Sequence, residues 1–202
     1  MNVKYAFGFI IFACLFITNP GSTKQECLSV PPGGFSGFWY SISQLKINNV
    51  NNIDLENEKY YCASSGCLAV ISNYIDIHKV YNFASNSRKY NKKLVDMKNN
   101  FISMLVKEIS FVPNITIVTM SKFGSCIERT ARDKKELKTL LIKTTDIPFL
   151  IPTYREVDGG VCYYYMNNCK RTINLPITYR FIINMLNFNL SNDDIIYFYN
   201  YI

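Results

Sequence analysis

The chain has 202 residues, 49% of them hydrophobic and 18% charged, which excludes long disorder over most of its length and suits one domain with one core. Lys and Arg number 22 against 15 Asp and Glu, a formal charge of +7, but no continuous basic run accompanies the excess, so no nucleic-acid partner is expected. There is one histidine, His78, which excludes a multi-histidine metal site and restricts any Ser-His machinery.

Met1–Tyr5 carries one lysine, Ala6–Thr18 is an uncharged run (AFGFIIFACLFIT), and the breaker Asn19-Pro20-Gly21-Ser22 follows. That order is the n-region, h-region and cleavage zone of a secretory signal peptide. The run is short for a membrane span, which needs roughly 20 residues. Residues 1–22 are therefore expected to be a signal peptide, with an uncleaved N-terminal anchor as the alternative, and 23–202 the functional domain. The expected address is the secretory pathway: secreted, or in the lumen or at the membrane of an endomembrane compartment. Beyond Cys14 in the signal, Cys27, Cys62, Cys67, Cys126, Cys162 and Cys169 remain. An oxidising compartment permits disulfides among them, in any of 15 full pairings. Asn114-Ile-Thr116 and Asn189-Leu-Ser191 are glycosylation sequons at such an address.

Glu26–Val30 reads as a short strand ending at Pro31-Pro32-Gly33-Gly34, and Phe38, Ser41, Ile42 and Leu45 follow at helical spacing. Glu58–Cys62 reads as a second strand, leading into one apolar helix over Ser65–His78. An amphipathic helix is expected over Tyr90–Ile109, a β-branched strand over Ile115–Met120, and a helix over Asp133–Lys143 capped by Asp133. Cys169–Leu175 suits a strand; Tyr179–Leu186 and Asp193–Tyr201 suit terminal helices. Strands alternating with helices imply an α/β fold with a mainly parallel sheet covered on both faces. The tail Ile195–Ile202 is apolar and aromatic; it suits either docking on the body or contact with a lipid surface.

Three motifs carry chemistry. Cys62-Ala63-Ser64-Ser65-Gly66 joins a strand to a buried helix, where a nucleophile elbow belongs. The turn would push Ser64 out of the sheet beside the N–H groups of a helix N-terminus, which suit a developing negative charge. Pro32-Gly33-Gly34-Phe35-Ser36-Gly37 lets backbone N–H groups converge on an anion, as an oxyanion hole or a phosphate cradle; without a following lysine it does not fit a nucleotide loop. Asp158-Gly159-Gly160 would form a turn that holds a carboxylate. His78 lies fourteen residues past Ser64 on the expected helix, roughly 21 Å away at about 1.5 Å per residue, and no histidine follows Asp158. A serine hydrolase built from this chain needs a Ser-Asp dyad. Buried cysteines are usually inert, so Cys62 and Cys67 are not expected to be nucleophiles.

A glycine-rich loop, a serine elbow and an Asp-Gly-Gly turn, in that order across about Leu28–Val161, resemble the patatin-like phospholipase family. Its G-G-G-x-[RK]-G looks like residues 32–37 here, with Pro32 in place of the first glycine and Ser36 in place of the basic residue. Its G-x-S-x-G looks like residues 62–66, with Cys62 at the first position, and its D-G-[GA] looks like residues 158–160. The resemblance implies a three-layer α/β/α sandwich and lipid acyl hydrolysis of the phospholipase A type. It makes Ser64 the nucleophile, Asp158 its base, and the N–H groups of Gly33, Gly34 and Phe35 the oxyanion hole. Gly37, Gly66, Gly159 and Gly160 would support the motifs. No metal and no organic cofactor are implied. The implied substrate is a lipid ester, with peripheral membrane contact; no protein partner is indicated. The competing expectations are a weak or inactive relative of the same fold that binds lipid or a protein, and a disulfide-stapled extracellular module in which the motifs coincide by chance.

Overall fold

A computed structural model describes residues 24–50, 57–90, 93–147, 156–185, 187 and 190–200. The expected signal segment and the apolar residues 148–152 lie outside them, as does Asn189 of the second sequon. Six strands form one sheet: β1 (Gln25–Val30), β2 (Tyr60–Ala63), β3 (Ile115–Ser121), β4 (Cys126–Thr130), β5 (Glu156–Asp158) and β6 (Cys169–Thr172). Among the described residues there are also eight helices: α1 (Gly34–Val50), α2 (Ser65–Asn73), α3 (Ile77–Tyr90), α4 (Leu94–Glu108), α5 (Lys134–Thr144), α6 (Gly160–Met166), α7 (Tyr179–Asn184) and α8 (Asn192–Tyr199).

The strand order is β4-β3-β2-β1-β6, with β5 also on β3. β1 runs parallel to β2 and β6, and β2 parallel to β3, whereas β4 and β5 run antiparallel to β3. The sheet is mostly parallel, as expected, and becomes mixed at β4 and β5. β4 follows β3 through a short turn and can only return alongside it, whereas parallel pairing needs a crossover. Successive strand residues face opposite sides of the sheet. Leu28, Val30, Tyr60, Cys62, Ile115 and Ile117 pack into a large core with α1, α2, α4 and α5, while Cys27, Tyr61, Ala63 and Val118 pack with Cys162 and Tyr163 of α6. Helices thus cover both faces, an α/β arrangement compatible with three layers.

The helix expected over Ser65–His78 is two. α2 ends at Asn73 in a tight turn, with the N–H of Tyr74 on Ile71 O and that of Ile75 on Ser72 O. The Asp76 carboxylate then accepts the N–H groups of His78 (2.9 Å) and Lys79 (3.2 Å), which starts α3 as a capping aspartate does. His78 is exposed on the first turn of α3. The helix expected from Tyr90 begins instead at Leu94, and Tyr90 closes α3. Asp133 does cap α5, accepting the N–H of Glu136 at 2.7 Å. The tail docks: Ile195 and Phe198 of α8 are buried against the core, and Arg180 stacks on Tyr197 with 3.9 Å to the ring centroid.

The six described cysteines are all paired, Cys27–Cys169, Cys62–Cys67 and Cys126–Cys162. The first joins β1 to β6 and the third ties α6 to β4. Three disulfides are compatible with an extracellular or secretory environment. Among the described residues no helix is long and apolar enough to cross a membrane.

Candidate active site

β2 leaves the sheet abruptly. Ala63 is paired with Val118 of β3, and the next residue, Ser64, has φ 53° and ψ −133°. Among the described residues it is the only one other than glycine with positive φ. Such a backbone costs about 1–3 kcal/mol and persists only when its surroundings impose it. Three contacts do so here. The Ser64 N–H donates to Thr144 Oγ1 (2.8 Å), and that hydroxyl donates to Val118 O (2.6 Å), which anchors the turn to β3. The Cys62–Cys67 disulfide closes the turn from below, joining the end of β2 to the first turn of α2. Gly66 lets α2 approach β1: a Cβ there would fall 2.4 Å from Val30 O. The elbow expected at residues 62–66 is thus a strained strand-to-helix turn, with a disulfide where the resembled pattern has a glycine.

Asp158 reaches Ser64 through the sheet. β4 occupies one edge of β3, so β5 must lie on the edge that β2 uses. Ala63 stands opposite Val118, and Asp158 opposite Thr119, one step further along. β5 therefore takes up the edge that β2 vacates at the elbow. The Ser64 side chain stands beside the Asp158 carboxylate and favours its charged form, and the Gly160 N–H donates to Asp158 Oδ1 at 2.7 Å. The Asp158 N–H donates to Asp146 O (2.8 Å). Desolvation pushes the Asp158 carboxyl up from 3.8 to about 6; Ser64, the Gly160 N–H and the Lys98 ammonium oppose the rise, and the Asp146 carboxylate adds to it. A carboxylate poised there can accept a proton near neutral pH.

Lys98 and Asp146 belong to none of the three motifs. Asp146 is fully buried and forms an ion pair with Lys98, whose ammonium also donates to Ile142 O at 3.2 Å. Desolvation lowers the Lys98 pKa, against the opposing pull of Asp146. The pair is a buried charge neutralised in place, with its cation close enough to help keep Asp158 ionised.

The glycine-rich loop corrects one expectation. The Gly33 N–H donates to Ser65 Oγ (3.0 Å), and the Phe35 N–H donates to Met185 O (2.9 Å). Pro32 has no N–H. Of the three donors expected for an oxyanion, only that of Gly34 is left, because the helix start is anchored on both sides by other acceptors. Gly34 has φ 59°, and a Cβ on it would lie 1.9 Å from Met185 O, so only glycine fits. As the first residue of α1 it has no intrahelical acceptor for its N–H, and neither has Ser65 as the first residue of α2. The residue after an elbow nucleophile is the usual second donor. Ser36 is fully buried, and its hydroxyl donates to Phe181 O (3.0 Å), a place with no room for a basic side chain in water. Gly37 closes the loop with its N–H on Gly33 O (2.9 Å), and Gly159 is the N-cap of α6.

Ser64, Ser65 and Gly34 line a cleft of about 110 Å³, partly open to solvent, whose other walls are largely apolar: Phe35, Phe38, Leu68, Met97 and Phe101 among them. Among the described residues no group of three or more His, Cys, Asp or Glu side chains is placed to hold a metal. A scan against protein-family models finds no match for the chain, and a search of curated proteins finds none.

Proposed function

We propose that the protein is a serine-dependent acyl hydrolase acting on lipid esters with a Ser64–Asp158 dyad, in the manner of the patatin-like phospholipases its motifs resemble. The observation that carries this reading is a strained, cleft-lining serine set beside a carboxylate whose pKa is raised to about 6. Asp158 would take the hydroxyl proton as Ser64 attacks the acyl carbonyl. The oxyanion would sit against the N–H groups of Gly34 and Ser65, and the acyl chain along the apolar wall. Asp158 would return the proton to the departing alcohol and then draw one from the water that releases the fatty acid. The secretory address and peripheral membrane contact belong to the same proposal. Ile177, Tyr179, Ile182 and Ile183 form an exposed apolar patch at α7, on the segment whose Met185 carbonyl holds Phe35 at the cleft wall. The test is release of fatty acid from micellar lipid esters, present in the wild type and absent in Ser64→Ala at unchanged melting temperature.

One observation favours a slow enzyme or a lipid-binding protein of the same fold: two expected oxyanion donors are already bonded, and removal of one donor elsewhere has cost about 10²–10³ in rate. Binding of lipid without fatty-acid release would place the protein there.

A further inference from the structure

Arg88 shares the cleft with Ser64 but has no part in the dyad. It comes from the last turn of α3, is half-buried, and lies among the apolar wall residues. Lys98 is the other charged residue of the lining, and Asp146 neutralises it. Among the described residues Arg88 has no such partner. Its Nη1 donates to Leu190 O at 3.0 Å, which uses one of the five guanidinium N–H groups. Among the described residues it forms no ion pair. Asp54 and Glu56 are the only two of the 15 acidic residues that lie outside the described set. Desolvation lowers the Arg88 pKa. A guanidinium drawn partly out of water beside an apolar wall is costly unless an anion completes it. Its planar fork matches a phosphate or a carboxylate.

We infer that Arg88 is an anion-binding subsite and that the cleft takes an amphiphile: one alkyl or acyl chain whose head group carries anionic oxygens, phosphate or carboxylate. The inference rests on the reading of the cleft as the acyl site. The chain would lie against Phe38, Met97 and Phe101, and the head group would stand at Arg88.

The single tryptophan of the sequence, Trp39, lines the same cleft and reports binding by its fluorescence. The full chain is titrated with dodecyl phosphate, dodecanoate, 1-dodecanol and inorganic phosphate, none of which is a carboxylic ester that turnover could consume. One or both anionic amphiphiles should bind at least about tenfold more tightly than dodecanol, the factor that a charge-assisted hydrogen bond supplies. Whichever of the two binds better identifies the head group. Arg88→Gln should reduce the difference to within about twofold, and Arg88→Lys should keep part of it. Equal binding of dodecanol by the wild type would overturn the inference, as would an undiminished preference in Arg88→Gln. Should Arg88→Gln fail to fold without its contact to Leu190, the wild-type comparison and Arg88→Lys decide. Saturable binding of inorganic phosphate that excludes dodecyl phosphate would mean a free-phosphate site and would also overturn it. The anionic preference without ester turnover would remove the hydrolase reading and keep the subsite; turnover without the preference would do the reverse.

Discussion

Asp158 stands one residue beyond Ala63 along the same edge of β3, opposite Thr119 where Ala63 is opposite Val118. The elbow and the carboxylate meet because the strand carrying one begins where the strand carrying the other leaves the sheet. Each half has its own fixings. Thr144 ties the elbow to β3, and the Gly160 N–H orients the carboxylate.

The raised Asp158 pKa sets a pH dependence. The base form is needed for turnover, so kcat/KM should fall below about pH 6, tenfold per unit on the acid side. Stability carries the opposite sign. A carboxyl whose folded pKa lies above its unfolded value of 3.8 contributes stability that is full below that value and is lost as pH rises through about 6. Asp158→Asn should therefore melt higher than the wild type at pH 8 while losing turnover. An acid limb near pH 4, or a lower melting point for the variant at pH 8, would rule out the assigned environment.

The disulfide at the elbow should matter to Ser64 as well as to the fold. The loop closed by Cys62–Cys67 is short, and loss of its constraint on the unfolded chain costs about 2 kcal/mol. Cys62→Ala with Cys67→Ala should show that loss in denaturant melts. It should also lower kcat more than it raises KM, because the elbow is then held by fewer contacts. An unchanged kcat would mean that β2 and α2 impose the Ser64 conformation without help.

Thr144 acts at the elbow through two hydrogen bonds in series. Thr144→Val keeps the shape of the side chain but leaves the Ser64 N–H and Val118 O without that partner, at a cost of about 1–3 kcal/mol for a buried group left unsatisfied. Thermal melts should show the destabilisation and steady-state kinetics a reduced kcat. Wild-type kcat in a destabilised variant would reduce Thr144 to a fold-stabilising residue.

Much of the framework was legible in the residues. β1, most of β2, β3 and the Asp133 cap follow from short apolar or β-branched runs and from turn chemistry, and the elbow from small residues between a strand and an apolar helix. β5 was not legible, because a three-residue strand that gains its meaning from an edge left by β2 has no local pattern. The break before α3 has no local signal, because Asp76 looks like an exposed residue within a helix, when its carboxylate starts a new one. α6, rich in tyrosine and following an Asp-Gly-Gly turn, carries no apolar stripe of its own, and its disulfide to β4 and packing on β3 place it on the sheet. Motif order does not reveal that Ser65 Oγ and Met185 O accept the N–H groups of Gly33 and Phe35, which takes both out of the expected oxyanion hole. Lys98, Asp146 and Arg88 are ordinary charges on amphipathic or turn segments, and only the folded cleft sets them apart.

The most direct test is covalent. The folded protein is treated with a fluorophosphonate at pH 8 and the modified residue is mapped by peptide mass spectrometry. Labelling should fall on Ser64 alone in the wild type, should vanish in Ser64→Ala, and should slow by at least about 10² in Asp158→Asn, the low end of what a positioned base contributes. Absence of labelling in the wild type, or an undiminished rate in Asp158→Asn, would contradict the Ser64–Asp158 dyad.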